Sequence, residues 1–235
     1  MNRIDGGFLI NLETRRERLA SARAVVAKLA FPFRVETFRA IDGATILNAG
    51  GRLYKGPLQG SGSMEWKITF AGKEGVRESH LMRPSKLTKG RVENPWSRFG
   101  CLRSYRECLQ MGIDRGWTRW LVLEDDVVAS EGASEQIELA LKKLNKSRPS
   151  WTMLLLGGAP LGGFKAPLTN NSSAFLGHKL ARAECVFQAH AYVVSSSCAQ
   201  VLVRKLDEGF GADSATTAFQ RSVWSSGEGG AYWLR

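Results

Sequence analysis

Residues 117–128 read WTRWLVLEDDVV, and no other stretch limits the fold of this chain as much. Trp120 to Leu123 form a continuous apolar run without polar alternation, the pattern of a strand covered on both faces in a parallel sheet, so an α/β fold is expected. Three acids, Glu124, Asp125 and Asp126, follow at once. Carboxylates crowded at the end of a buried strand repel one another, and a cation or a proton-transfer task is the usual compensation. The carboxyl ends of strands are also where open α/β sheets bind ligands. Extended geometry would turn Glu124 and Asp126 to one side and Asp125 to the other. Two hard oxygen ligands on one side suit Mn2+ or Mg2+. The competing reading is a solvated acidic turn in which Asp125 or Asp126 only caps the next segment; the buried strand before it favours the metal site.

At 235 residues, one large domain over 1–235 is expected, with ample chain to bury a core. No apolar run approaches the ~20 residues that cross a bilayer, and residues 1–12 lack the basic start and apolar core of a signal peptide, so a soluble, cytoplasmic protein without a transmembrane segment is expected. Cys101, Cys108, Cys185 and Cys198 show no CxxC spacing and read as reduced core residues rather than a zinc site or disulfide framework. The formal charge of +11 implies an anionic partner: nucleic acid, a phosphorylated saccharide or an acidic membrane surface.

In chain order, residues 7–11 (GFLIN) read as a first buried strand. A helix is expected next, with Thr14 as N-cap, Glu17 at the capping-box spacing, and Leu19, Ala22, Val26 and Leu29 as its inner stripe. Its first turn carries Arg15, Arg16 and Arg18, where basic residues oppose the helix dipole by ~0.3–1 kcal/mol each. A bound phosphate would reverse that cost; Glu13 and Glu17 offer a purely structural balance instead. Residues 33–41 read as a second strand ending in the Asp42-Gly43 turn. From about 44 to 98 glycines recur and periodicity fades. Between 51 and 98 ten bases face four acids, which places +6 of the +11 in an apparent loop region with a small hairpin at 64–70. Trp66, Phe70 and Trp96 interleave aromatic faces with that charge, as binding of a polyanion or sugar would require.

A helix is expected from Phe99, with Leu102, Tyr105, Leu109 and Ile113 inward and Gly116 as its stop, and another near 134–145. Residues 151–156 (WTMLLL) form a further buried strand. It ends in Gly157 and Gly158 at the same sheet edge as the acids, where a ligand can approach the backbone. Residues 184–195 hold one or two strands, Ser195 or Ser196 caps the next helix, and Asp213 falls in the loop beyond Gly209. Trp224, Tyr232 and Trp233 either stack on an acceptor or cover the core.

FLINLETRRERLA at 8–20, AIDG at 40–43, GCLRSYREC at 100–108, LVLEDDV at 121–127, LLLGG at 154–158 and HAYVVSSSCAQVL at 190–202 occur in the order seen in glycosyltransferase family 25, which the chain resembles from Phe8 to about Asp213. That family includes lipopolysaccharide-type sugar transferases and collagen galactosyltransferases. The resemblance implies a GT-A-like nucleotide-sugar-binding α/β/α sandwich with a mostly parallel central sheet. It implies a DxD-like pair, Glu124 and Asp126, holding Mn2+ or Mg2+ on the donor diphosphate, with Asp126 the more direct ligand. Asn11, Arg15 and Arg18 fall where the nucleotide is cradled, together with Glu124, Gly157 and Gly158. His190 matches the late strand as a third candidate ligand; a lone strand histidine is otherwise a structural residue. Asp213 is the candidate general base, with Asp125 the alternative if it turns toward the cleft. The chain departs from the family at Ser104-Tyr105, where Ser-His is frequent, and Tyr105 is expected only as a core residue.

These readings imply transfer of a hexose from a nucleotide sugar, a UDP-sugar in the first instance, to a hydroxyl of an anionic acceptor. A bacterial surface saccharide of lipopolysaccharide type fits best, with the basic protein docking peripherally at the inner membrane surface. One alternative is a phage-type DNA glycosyltransferase acting on the hydroxymethyl group of a modified pyrimidine, which would need the base flipped or unstacked. Another is an inactive polyanion-binding module.

Overall fold

The computed structural model describes residues 3–48, 52–57, 64–71, 77–82, 95–160, 180–183, 186–187, 190–208, 212–226 and 230–234. The elements in chain order are β1 (Gly6–Asn11), α1 (Arg16–Leu29), β2 (Val35–Arg39), α2 (Gly43–Asn48), β3 (Arg52–Pro57), β4 (Met64–Ala71), β5 (Arg77–Met82), α3 (Pro95–Asp114), β6 (Arg119–Glu124), α4 (Ala133–Ser147), β7 (Met153–Leu155), β8 (Ala159–Pro160), β9 (Leu180–Arg182), β10 (Val186–Phe187), β11 (Ala191–Ser195), α5 (Ser196–Asp207), α6 (Ala212–Ser226) and β12 (Ala231–Leu234).

Seven strands form the central sheet in the order β2-β1-β6-β11-β7-β12-β9. β1 runs parallel to β2 and β6, and β7 parallel to β12, while β11 is antiparallel to both its neighbours and β9 to β12. β2, β1, β6, β7 and β12 therefore point one way and only β11 and β9 the other, the mostly parallel sheet expected. β6 sits inside this sheet, as its unbroken apolar run requires: Trp120 and Val122 pack with residues of α3, α5 and α6, Leu121 and Leu123 with those of α1 and α4. The two helical layers enclose one core on each face, an α/β/α sandwich.

Several local expectations are corrected. α1 begins at Arg16, and its N-cap is Arg15 without a side-chain cap bond, not Thr14. A tight turn, with Arg15 N–H donating to the Leu12 carbonyl, occupies 12–15 and delays the helix. α3 starts earlier than Phe99, with Pro95 in its first position, where the missing N–H costs nothing. Asp213 lies not in a loop but in the first turn of α6. The region from 44 to 98 is not simply loop: its described residues hold most of α2, the first residues of α3 and an antiparallel sheet in the order β3-β4-β5. The hairpin expected at 64–70 is the central strand of that sheet; MEWKITF alternates apolar and polar residues with the period of a strand, a signal that the surrounding glycines and charges diluted. The aromatics placed there, Trp66 and Phe70, have side chains outside the described residues. Tyr232 and Trp233 are buried on inner strand β12 and cover the core, whereas the Trp224 side chain is outside the description. Cys108 and Cys198 are buried free thiols as expected, but Cys101 is exposed.

Candidate active site

The parallel strands β1 and β6 finish at one sheet edge, and the antiparallel β11 starts there. This direction of β11 brings His190, the residue before it, beside the end of β6: the Glu124 N–H donates to the His190 carbonyl at 2.8 Å. The two carboxylate oxygens of Glu124 are then held from opposite elements. Oε2 accepts from His190 Nδ1 at 2.8 Å and Oε1 accepts from the Tyr105 hydroxyl of α3 at 2.5 Å. His190 Nδ1 also lies 3.4 Å from Asp126 Oδ1.

β6 ends at Glu124 and the chain turns at 125–126, so the alternation of extended backbone stops there. Asp125 consequently does not face away from its neighbours. All three acids line one cleft of about 240 Å3 with Asn11, Arg15, Arg18 and Tyr105. Asp125 Oδ2 accepts from the buried Asn11 amide at 2.8 Å, and Oδ1 from Arg18 at 3.3 Å. The same Asn11 amide donates to the Arg15 carbonyl at 3.2 Å, which ties the start of α1 to the end of β1. Arg18 also reaches Asp126 at 3.9 Å. The arginines in the first turn of α1 are thus not offset only by Glu13 and Glu17: Arg18 belongs to the acidic cleft, and Glu13 pairs with Arg39 at 2.6 Å.

The opposite wall is the AIDG loop, Ala40 to Gly43. Two bonds pin it: the Ala40 N–H donates to the Asn11 carbonyl at 2.8 Å and the Ile41 N–H to Ser104 Oγ at 2.8 Å. The Ser104 hydroxyl in turn donates to the Gly100 carbonyl at 2.7 Å. Gly43 and Gly100 permit this contact, because a Cβ on Gly43 would stand 1.9 Å from the Trp96 carbonyl oxygen and one on Gly100 2.5 Å from that of Ile41. A second hollow of about 340 Å3 adjoins the cleft, sharing Leu12, Ala40, Ile41 and Asp42 and adding Thr14, Arg39 and Thr45. Together they make a groove across the ends of β1 and β2, with the acids at one end.

The sequence model of glycosyltransferase family 25 (LPS biosynthesis protein) matches residues 5–214. The chain belongs to glycosyltransferase family 25. No curated protein matches it. The family 25 match runs from the approach to β1 into the first turn of α6, so it contains every residue of the cleft described above, and the sandwich is GT-A-like. Among the described residues no helix is long and apolar enough to cross a membrane.

In this family 25 chain Glu124, Asp126 and His190 form the one group among the described residues with three ligand atoms within 4.8 Å of one another. Two carboxylates and an imidazole are a donor set that fits Mn2+ with positions left for substrate oxygens; the two carboxylates alone are the part of it that suits Mg2+. The hydrogen bond to Glu124 and the negative charges of Glu124, Asp126 and Asp213 hold the His190 proton up to about 9, against the opposing effect of partial burial. Burial, then the Glu124 charge, pushes the Tyr105 phenol well above its ordinary value, so it stays a donor.

Asp213, though distant in sequence, acts electrostatically on His190 from the start of α6. Gly157 and Gly158 follow β7 at the same sheet edge, but β11 separates β7 from β6 and neither glycine lines the cleft. Gly158 takes a φ of +114°, which an L side chain rarely adopts. Tyr105 is the site residue that sequence reasoning undervalued. It lies on the core-facing stripe of α3 and is buried, so periodicity disguised it; the available signal was that a buried tyrosine hydroxyl needs a partner.

Proposed function

We propose that this family 25 protein is a divalent-metal-dependent hexosyltransferase, taking the sugar from a UDP-sugar and placing it on a hydroxyl of an anionic surface saccharide on the cytoplasmic side of the membrane. The observation that carries this reading is the meeting of Glu124, Asp126 and His190 with Arg15 and Arg18 at the end of β6. Asp126, Glu124 and His190 would hold Mn2+ or Mg2+, which when bound neutralises charge on a diphosphate. Arg15 and Arg18, at the N-terminal end of α1, would bind the same diphosphate, with Asn11 and Asp125 keeping Arg18 in place.

The bond from the sugar anomeric carbon to the diphosphate oxygen breaks, the acceptor oxygen bonds to that carbon, and the acceptor proton passes to a carboxylate. Asp213 is the base in this reading. Asp125 already accepts bonds from Asn11 and Arg18 on both its oxygens, which makes it the better anchor than proton acceptor. The groove over β1 and β2 has the extent to take the nucleoside, and the net charge of +11 favours an anionic acceptor.

The test is nucleotide release from UDP-sugars with Mn2+, measured with no acceptor, with a lipopolysaccharide-type saccharide and with DNA containing hydroxymethylcytosine. Saccharide-dependent release that falls about 100-fold or more in Asp126→Ala is expected. Release driven only by DNA would transfer the assignment to a nucleic-acid acceptor. Failure of every donor would leave the polyanion-binding module.

A further inference from the structure

Glu124 is the hinge of the site. It ends β6, and its carboxylate is held from both α3 and the start of β11: the Tyr105 hydroxyl donates to Oε1 at 2.5 Å and His190 Nδ1 to Oε2 at 2.8 Å. Tyr105 cannot easily turn elsewhere. Its ring is buried at 2% exposure and stacks on Tyr192, with centroids 6.4 Å apart and planes 9° from parallel. A free carboxylate at a strand end would rotate about its side-chain torsions and take His190 with it, since the imidazole is nearly half exposed and is oriented by this bond.

We infer that Tyr105 is a positioning residue: its phenol locks the Glu124 carboxylate in the rotamer that presents Glu124, Asp126 and His190 as one metal-binding group. The inference rests on the metal-dependent reading above and assigns a residue of α3 to it. A hydrogen bond to a ligating carboxylate, or to a carboxylate that orients a ligating histidine, fixes direction and basicity, and its loss typically lowers metal affinity 10–100-fold.

Tyr192 provides the internal control. It is likewise buried, stacks on the Tyr105 ring, and its hydroxyl has no hydrogen-bond partner among the described residues. Tyr105→Phe and Tyr192→Phe each remove one phenolic oxygen from the same stack, but only the first touches Glu124. The experiment is titration of the full chain with Mn2+ alone, followed by electron paramagnetic resonance of the free ion, with near-ultraviolet circular dichroism and the urea midpoint recorded on the same samples.

Expected is a Mn2+ affinity about 10–100-fold weaker in Tyr105→Phe, with wild-type dichroism, and unchanged in Tyr192→Phe. A purely structural Tyr105 would lower the urea midpoint and leave Mn2+ affinity at the wild-type value, which overturns the inference while the metal reading stands. Equal weakening in both variants overturns it too, because the stack and not the hydrogen bond would then be responsible. A wild-type chain that binds no Mn2+ overturns the metal reading and this inference together.

Discussion

His190 shows how one side chain couples the site to the fold. Its Nδ1–H donates to Glu124, and that bond with the nearby acids raises its pKa from 6.5 to about 9. The folded state therefore binds this proton more tightly than the unfolded state, where the ordinary value applies. The resulting stabilisation is complete below about 6.5 and disappears as pH rises through about 9. With a chelator present, the thermal midpoint of the wild type is expected to fall between these two pH values, and His190→Gln should flatten that part of the profile. Equal slopes for the two proteins would refute the assignment. Tyr105 and Asp125 teach a related lesson at this scale. Each was legible as a residue type, tyrosine on an apolar stripe and acid in an acidic run, but its partner was not, because hydrogen-bond partners 19 and 114 residues away leave no local pattern.

At the scale of elements, the close packing of α3 on β6 sets where Tyr105 sits relative to Glu124. Gly112 makes the approach possible: a Cβ there would lie 2.4 Å from the indole of Trp120, which is fully buried and has nowhere to retreat. Two effects oppose one another in Gly112→Ala. Alanine gains about 1 kcal/mol of helix propensity, while overpacking a full core typically costs about 1–3 kcal/mol. Contact with the rigid body of an indole puts the cost at the upper end, so a net loss of about 1–2 kcal/mol is expected, read as a lower urea midpoint at unchanged slope. Elements with an unbroken apolar run or a clear helical stripe are readable from the sequence, β1, β6 and α4 among them, and of the two serines expected to cap α5 it is Ser195 whose hydroxyl accepts from the Cys198 N–H at 3.2 Å. α6 and the small β3-β4-β5 sheet are not so readable, since glycine, charge and short polar residues weaken the burial pattern on which such a reading depends.

For the whole molecule, β12 decides whether β9 joins the central sheet. The family match ends at residue 214, yet β12 lies between β7 and β9 and buries Tyr232, Trp233 and Leu234. Three large buried side chains at about 1.5–3 kcal/mol each approach the whole stability of an ordinary domain, about 5–15 kcal/mol. Truncation after Ser226 should therefore yield a chain that binds a hydrophobic dye and lacks near-ultraviolet dichroism, despite retaining the whole of the family match; a native spectrum would count against a structural role for β12. The α/β class, the buried strand at 120–123, the acids at its end and the order of the family's motifs are legible along the chain, because each is a pattern of burial or charge within a few residues. That β11 runs antiparallel beside β6 is visible only in the folded sheet. That pairing is selected by the packing of the entire sheet, and it is what places His190 against Glu124, 66 residues away in the chain.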